Sequence, residues 1–185
     1  MTVHEVAKSL VRQGKGILAA DESNATATKR LEGVGVESNE ENRRRYRELL
    51  FTTPGVEEYL SGIILFDETL RQPTSDGTLF PRYLNSKGII PGIKVDGGLE
   101  DVEGGQVTKG LDGLEDRLKE YKSLGAGFTK WRAVARVGEG YGDPVIKENA
   151  KRMAAYAQIA QAQGFVPIVE PEVLMLGTHS AEDAE

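Results

Sequence analysis

Short apolar runs alternate along this chain with longer segments in which apolar residues recur at helical spacing. Each run has the length and composition of a buried strand, and each intervening segment is long enough for a helix. This alternation predicts an α/β protein with a parallel sheet and right-handed crossovers. The five runs are GILAAD (16–21), GIILF (62–66), IIPGIKVD (89–96), FTKWRAV (128–134) and FVPIVEPEVL (165–174).

Capping and turn residues bound the helices predicted in the first half. One helix is expected at residues 26–32. A second begins at a capping box, with Ser38 as the N-cap and Glu41 reaching back to it, and ends before Pro54. A long polar loop is expected after Phe66, with turn signals at Ser75, Asp76 and Gly77.

Two further helical regions are expected in the second half. Apolar spacing predicts a helix over 111–121, with Gly125 at its C-terminal cap. Asp143 and Pro144 are a candidate start for the next helical region, and an alanine-rich helix around 149–163 ends at Gly164. No G-x-G-x-x-G follows the first strand, which disfavours a dinucleotide-binding domain. A doubly wound sheet and a partial (β/α)8 barrel both fit this order of elements.

Charged residues occur close to the C-terminal end of four of the five runs. On the fourth run, strand alternation puts Lys130 and Arg132 on one face and Trp131 on the other. Parallel strands covered on both faces should be almost wholly apolar, so these charges need an explanation. In a barrel, the C-terminal strand ends converge on the active site. The residues that would meet there are Asp21, Lys94, Asp96, Lys130, Arg132, Glu170 and Glu172.

The alternative interpretation is that these charges form solvated strand ends or a stabilising ion-pair network. It is less convincing for the fourth and fifth runs, because each carries two charges on one face. It is most convincing for Asp96, since the sequence Asp96-Gly97-Gly98 is also typical of a plain turn.

The chemistry open to this set is narrow. Lys94 and Arg132 can hold phosphate groups, the arginine as a planar fork and the lysine as a point charge. A lysine beside another cation at low dielectric has a depressed pKa and can form a Schiff base, so the residues alone nominate Lys130 as a nucleophile. Glu170 and Glu172 can divide proton-transfer roles if their surroundings push their pKa values apart.

Composition and charge exclude several classes of function. The 185 residues are 39% hydrophobic and 28% charged, which suits one domain over 1–185. A net charge of -6 argues against a nucleic-acid partner, and the lack of cysteine excludes disulfides and thiolate chemistry. His4 and His179 are too far apart in sequence to suggest a metal pair. No segment resembles a signal peptide or a membrane span, which favours a cytoplasmic protein without a membrane partner.

The chain also contains six longer strings in a distinctive order and spacing: GKGILAADES, EENRRRYRELLFTT, GIILFDETL, GIKVD, KWR and VPIVEPE. Together they resemble class I fructose-bisphosphate aldolase, the metal-free Schiff-base kind, with the best match from Gly14 to Glu172. The resemblance implies a (β/α)8 TIM barrel, of which this chain is about the first five β/α units. It implies reversible cleavage of fructose 1,6-bisphosphate to dihydroxyacetone phosphate and glyceraldehyde 3-phosphate, with no cofactor.

By position, the resemblance implies proton-handling roles for four residues. Asp21 would position the substrate and move protons around the carbon–carbon bond being broken. Glu170 would be the general acid/base, and Glu172 would hydrogen-bond into the lysine cluster. Lys130 would assist carbinolamine chemistry, because the family's Schiff-base lysine lies on the sixth strand. The nucleophile is then expected to be missing from these residues.

Three further residues are implied to bind the sugar-phosphate substrate. Lys94 would contact a phosphate, Arg132 would bind substrate, and Ser23 occupies the position of a family hydroxyl near the phosphate. Two other functions remain compatible with the sequence. One is a catalytically inactive phosphosugar-binding or scaffold fragment. The other is a different barrel enzyme, such as an isomerase or a metal-dependent aldolase, for which histidine ligands are lacking.

Five strands of a closed barrel would leave two sheet edges and an apolar inner face exposed, which favours association with another chain. We therefore expect the isolated chain to be unstable, or to be completed by a C-terminal half or by copies of itself in a homo-oligomer. Thermal unfolding measures the stability of the isolated chain, and sedimentation measures its state of association. A monomer that unfolds cooperatively at high temperature would contradict the expectation.

Overall fold

The computed structural model describes residues 1–138, 142–175 and 177–184. Five of its strands form a parallel sheet in the order β1-β2-β3-β6-β7, which curls into half of a barrel, and β4 and β5 form an antiparallel hairpin. The predicted parallel sheet and partial barrel are confirmed. The strands are β1 (Gly16–Ala20), β2 (Leu60–Leu65), β3 (Ile90–Lys94), β4 (Leu99–Val102), β5 (Gly105–Thr108), β6 (Phe128–Ala135) and β7 (Val166–Val173).

Helices connect the strands and cover the outer face of the sheet. No helix in the described part of the chain has both the length and the apolar character needed to span a bilayer. The helices are α1 (Val3–Leu10), α2 (Asn24–Glu32), α3 (Glu40–Phe51), α4 (Val56–Tyr59), α5 (Asp67–Arg71), α6 (Phe80–Ser86), α7 (Leu114–Ser123) and α8 (Asp143–Ala162), with a short 3-10 turn at Glu182–Ala184.

Side-chain alternation along the strands separates two apolar layers. On the outer, helix-facing side, Trp131 of β6 is fully buried and stacks on Tyr156 of α8, with ring centroids 5.3 Å apart. On the inner side, Phe128 packs in a smaller cluster with Leu10 of α1. Because Lys130 is adjacent to Trp131, it projects to the inner side, as the alternation predicts.

Phe128 fits the inner layer because β2 and β3 each have a glycine where its ring packs. A Cβ atom on Gly92 of β3 would lie 2.3 Å from Phe128 Cζ. A Cβ atom on Gly62 of β2 would lie 3.0 Å from Phe128 Cε1 and 2.7 Å from Leu10 Cδ2. Any larger residue would collide with the ring, so these glycines serve close packing rather than a turn.

The helix α1 packs against the inner apolar layer at the N-terminal ends of the strands. Thr2 caps it, and a capping box forms as Glu5 N donates to Thr2 Oγ1 at 3.3 Å and Thr2 N donates to Glu5 Oε2 at 2.7 Å. Ser61 at the start of β2 donates a hydrogen bond to Leu10 O at 2.6 Å. The helix thus covers the N-terminal ends of the strands and leaves the C-terminal ends accessible.

Two local predictions are wrong. The N-cap of α3 is Asn39, whose side chain accepts a hydrogen bond from Asn42 N at 2.9 Å, and not Ser38. Ser38 lies 2.6 Å from Thr28 of α2 through their hydroxyl oxygens. Serine and asparagine are equally good caps, so tertiary contacts decide between adjacent candidates. The turn expected at 75–77 is present, since Gly77 N donates to Thr74 O at 3.0 Å, but the rest of the expected loop contains the short helices α5 and α6.

The hairpin β4–β5 is fastened over the sheet by a buried amide. Asn149 of α8 accepts a hydrogen bond from Thr108 N at 2.9 Å and donates to Gln106 O at 3.0 Å. Thr108 Oγ1 in turn donates to Arg132 O at 3.0 Å. The hairpin is therefore tied to the C-terminal part of β6, where the charged residues lie.

We expect Gly92→Ala to destabilise the chain by about 1–3 kcal/mol, because the added methyl group must displace the Phe128 ring. Gly16→Ala is the matched control, since this strand glycine has no atom within 4 Å of the added Cβ and no left-handed φ. The midpoint of urea unfolding, followed by circular dichroism, measures both. Phe128→Leu in the Gly92→Ala background should recover part of the loss. Equal midpoints for Gly92→Ala and wild type would contradict the packing.

Candidate active site

The C-terminal ends of four parallel strands surround a cleft of about 470 Å³. This convergence follows from the curl of the sheet, which brings strand ends from distant parts of the sequence together. Seven of the eight residues nominated from the sequence line it, namely Asp21, Ser23, Lys94, Asp96, Lys130, Arg132 and Glu170. The eighth, Glu172, contacts Arg132 beside the cleft.

The ammonium group of Lys130 lies between two carboxylates. Lys130 Nζ is 2.7 Å from Asp21 Oδ2 and 3.0 Å from Glu170 Oε2, and the side chains of Lys130 and Asp21 are each 9% exposed. Burial lowers the pKa of Lys130, but its hydrogen bonds to Asp21 and Glu170 and their charges outweigh burial, so the pKa is raised above its usual value. Lys130 is therefore a cation at neutral pH. The depressed pKa that its neighbours in sequence predicted is wrong.

The contact between Lys130 and Asp21 depends on the curl of the sheet. β1 and β6 are three positions apart in the strand order. In a flat sheet this places the two strands about 14 Å apart. Their side chains meet at 2.7 Å because both point into the concave face.

The two glutamates of β7 have different partners. Glu172 Oε2 accepts a hydrogen bond from Arg132 Nε, which lowers the pKa of Glu172, while the same bond raises the pKa of Arg132. Glu170 contacts Lys130 instead. The resemblance implied that Glu172 joins the lysine cluster, whereas its described hydrogen bond goes to Arg132. Glu172 is therefore kept ionised, and Glu170 is the glutamate adjacent to the buried cation.

Lys94 is paired with a carboxylate that the sequence indicated only weakly. Lys94 Nζ donates to Asp96 Oδ1 at 2.5 Å and to Asp96 O at 3.2 Å. The expected turn is present, since Gly98 N donates to Asp96 Oδ1 at 3.2 Å. The carboxylate also lines the cleft, so Asp96 belongs to the site as well as to the turn.

The start of α2 forms another wall of the cleft. Ser23 is the N-cap, with its Oγ accepting from Thr26 N at 3.4 Å, and Arg30 lines the cleft further along the same helix. Arg30 is 56% exposed. A helix N-terminus with hydroxyl groups and an exposed guanidinium favours an anion. Strand alternation does not indicate Thr26 or Arg30. Their i, i+4 spacing, which places both on one face of a helix, is the sequence signal that could have indicated them.

Behind α2, the buried Arg47 of α3 holds Glu22. Arg47 Nη1 lies 2.8 Å from Glu22 Oε2, and Arg47 Nη2 donates to Glu22 O at 3.0 Å. Burial lowers the pKa of Arg47. Glu22 also forms an ion pair with Arg30. Because Glu22 lies between Asp21 and Ser23, this contact fixes the backbone that carries both of them.

Within the described ranges, no three acidic or histidine side chains come close enough to hold a metal ion. The cleft and the residues directly behind it together contain as many carboxylates as cations. Paired carboxylates and lysines suit proton transfer, and exposed or displaceable cations suit a phosphate-bearing ligand. The carboxylates are Asp21, Glu22, Asp96, Glu170 and Glu172, and the cations are Arg30, Arg47, Lys94, Lys130 and Arg132.

Comparison with known proteins gives a consistent result. Residues 2–185 match the family model Glycolytic, which is described as fructose-bisphosphate aldolase class-I. A probable fructose-bisphosphate aldolase class 1 of Xanthomonas campestris is 56% identical over 182 residues, which are 96% of this chain and 54% of that protein. The cytosolic fructose-bisphosphate aldolase 6 of Arabidopsis thaliana is 55% identical over 173 residues, which are 91% of this chain and 48% of that protein.

The fold has a close counterpart among solved structures. A fructose-bisphosphate aldolase from Plasmodium falciparum, solved in complex with TRAP and a small-molecule inhibitor, superposes with a TM-score of 0.92 at 47% identity. The match covers 97% of this chain and 54% of that one. The chain thus spans about half the length of the relatives it matches.

We expect Asp21→Asn to lower the pKa of Lys130, because burial of the ammonium remains while one counter-charge is lost. Asp116→Asn is the matched control. It removes a carboxylate 3.2 Å from Lys119, a lysine whose side chain is 55% exposed and screened by water. NMR titration of the chain with its lysines labelled by reductive ¹³C-methylation reads both pKa values. Equal decreases at Lys130 and Lys119 would contradict the role assigned to burial.

Proposed function

This chain belongs to the class I fructose-bisphosphate aldolase family, and we propose that it supplies the proton-transfer and phosphate-binding side chains of that enzyme. The reaction proposed is the reversible cleavage of fructose 1,6-bisphosphate to dihydroxyacetone phosphate and glyceraldehyde 3-phosphate. One observation carries the proposal: the buried ammonium of Lys130 bridges Asp21 and Glu170 at the wall of a cleft that also contains Lys94 and Arg132.

A Schiff base requires an unprotonated amine, and the cleft offers two lysines that are both engaged in ion pairs. The pKa of Lys130 is raised by Asp21 and Glu170, so this amine is protonated at neutral pH. Lys94 is held by Asp96. We therefore propose that the covalent step belongs to a lysine outside residues 1–185. The greater length of the relatives supports this proposal.

The carboxylates would divide the proton transfers. Loss of water from a carbinolamine needs an acid that protonates the departing hydroxyl, and carbon–carbon cleavage needs a base that takes the proton of the neighbouring hydroxyl. Glu170, at 36% side-chain exposure and 3.0 Å from Lys130, is the proposed general acid/base. Asp21 would position the substrate and exchange protons at the cleaved bond. Glu172, ionised beside Arg132, would hold that guanidinium in place.

Phosphate binding would use the remaining cations and the start of α2. Lys94 and Arg132 line one side of the cleft, and Arg30 lines it from α2. Ser23 and Thr26 would add hydroxyl donors near the helix N-terminus. Two phosphate groups carry about four negative charges at neutral pH, so binding requires several of these cations to leave their carboxylate partners.

Completion of the barrel is part of the same proposal. β1 and β7 are the two edges of the described sheet, and Val169 and Val173 leave apolar surface exposed on β7. Further strands, from a C-terminal half or from copies of the chain, would pair with these edges and cover that surface. We also propose a cytoplasmic location, in line with the relative that is named cytosolic.

Trapping with borohydride tests the proposal. The chain is incubated with dihydroxyacetone phosphate, reduced, and its intact mass is measured. We expect no adduct on this chain alone. When the C-terminal half of the Xanthomonas campestris relative is added, we expect an adduct on that half. An adduct mapped to Lys130 or Lys94 would contradict the assignment of the nucleophile.

The complemented pair also tests the acid/base. Glu170→Gln should lower the cleavage rate about 10²- to 10⁴-fold. Glu115→Gln, on the exposed face of α7, removes the same charge far from the cleft and should have no effect. Binding of the phosphosugar without any adduct or turnover, with or without the second half, would favour an inactive phosphosugar-binding fragment instead.

A further inference from the structure

One of the family strings, EENRRRYRELLFTT (40–53), contributes none of the described residues that line the cleft. It contains the helix α3, which lies behind α2. Two consecutive side chains of α3 nevertheless reach the wall of the cleft, because Tyr46 and Arg47 both contact Glu22. Glu22 itself lines the cleft. The string therefore acts on the site from behind.

The carboxylate of Glu22 joins two arginines, one through each of its oxygens. Its Oε2 lies 2.8 Å from Arg47 Nη1, and its main-chain oxygen accepts a hydrogen bond from Arg47 Nη2 at 3.0 Å. Its Oε1 is paired with Arg30 Nη1. The side chain of Arg47 is 3% exposed and that of Glu22 is 10% exposed. The buried arginine thus fixes the carboxylate, and the carboxylate holds the exposed arginine.

Tyr46 completes this arrangement with an uncharged group. Its hydroxyl donates to Glu22 Oε1 at 3.3 Å and accepts a hydrogen bond from Arg30 Nη1 at 3.2 Å. The guanidinium carbon of Arg47 lies 4.9 Å from the centre of the tyrosine ring, a favourable contact between a cation and an aromatic face. Arg30 Nη1 is therefore held by two acceptors, and both of them contact the buried Arg47.

This hold leaves one edge of the Arg30 guanidinium available. Its described hydrogen bonds all use Nη1, so no partner within the described ranges occupies the edge formed by Nε and Nη2. A guanidinium binds a phosphate most specifically through two parallel N–H donors on one edge. A guanidinium that is already ordered also loses less conformational entropy when a ligand binds.

We propose that Tyr46 is a positioning residue for phosphate binding at the start of α2. Its hydroxyl orients Arg30 so that the edge formed by Nε and Nη2 serves a phosphate in the cleft, and Tyr46 itself does not touch the ligand. This inference rests on the proposed phosphate-binding function and deepens it, since it names the residue that orders one of the proposed phosphate-binding cations.

Tyr46→Phe tests this role, because it removes the hydroxyl group and preserves the ring and every charge of the cluster. The full chain is titrated with glycerol 3-phosphate, and binding is followed by NMR at the backbone amide of Thr26, a residue of the cleft wall. We expect the dissociation constant to rise roughly two- to fivefold. Circular dichroism checks that the variant is folded like the wild type.

Tyr59→Phe is the matched control. It removes a hydroxyl group from a ring that is 69% exposed and precedes the N-terminal end of β2, whereas the cleft lies at the C-terminal ends of the strands. We expect the dissociation constant for glycerol 3-phosphate to equal that of the wild type.

A double-mutant cycle separates positioning from a general structural role. Arg30→Met should raise the dissociation constant about tenfold, because a charged donor is lost. Adding Tyr46→Phe to Arg30→Met should cause no further rise, because the guanidinium that the hydroxyl holds is absent. An equal rise in both backgrounds would mean that Tyr46 only supports the packing of α3, and would overturn the inference.

The order of the arginine side chain is measured without any ligand. The ¹⁵N heteronuclear NOE of Arg30 Nε should decrease in Tyr46→Phe, because the guanidinium loses one of the two acceptors that hold it. The same measurement at Arg45, an exposed arginine on the helix that carries Tyr46, should give an unchanged value. Equal values for Arg30 in the wild type and in Tyr46→Phe would overturn the inference.

The binding data separate failure of the inference from failure of the function. Wild-type binding of glycerol 3-phosphate that is the same in Arg30→Met and in Tyr46→Phe would overturn the inference, and would leave phosphate binding to Lys94 and Arg132. Absence of binding by the wild type would overturn the proposed phosphate site, and the inference with it.

Discussion

The ion pair between Lys130 and Asp21 is the interaction on which the geometry of the site depends. It joins the ends of β6 and β1 across three strand spacings, a distance that only a curled sheet allows. On the opposite face, Trp131 is packed against the outer helices, so the register that buries the tryptophan also directs Lys130 inward. The curvature of the sheet, the packing of its core and the position of the catalytic candidates therefore depend on one another.

Burial of so many charges in one cleft is possible because each has a partner. An isolated charge of this kind would cost several kcal/mol, whereas a paired and hydrogen-bonded one is tolerated. The same pairing shapes the chemistry. It keeps Lys130 protonated and Glu172 ionised, which suits the transfer of protons and the stabilisation of anions. A protonated amine is a poor nucleophile, so the raised pKa of Lys130 agrees with our proposal that another lysine performs the covalent step.

Residues outside the cleft hold the ion pairs in position. Arg47 fixes the segment between Asp21 and Ser23 through the backbone and carboxylate of Glu22. On the other side, Asn149 fastens the hairpin that follows Asp96. The strand pattern gave no indication of either residue, because both lie on helices and act through backbone groups of loops. Arg30, which lines the cleft, has no signal in the strand pattern for a related reason, because it lies on the helix α2.

The sequence by itself determined the five parallel strands and the charged residues at their C-terminal ends, because apolar periodicity and alternation are local properties. Family motifs that overlap those runs also nominated the candidate site residues. Tertiary structure decided what the local pattern left open: Asn39 rather than Ser38 as a cap, and Asp96 as a partner of Lys94 rather than only a turn residue. It also decided the ionisation of Lys130. A neighbouring arginine in sequence predicted a depressed pKa, but a pKa responds to charges that are near in space, and the curled sheet supplies two carboxylates from distant strands.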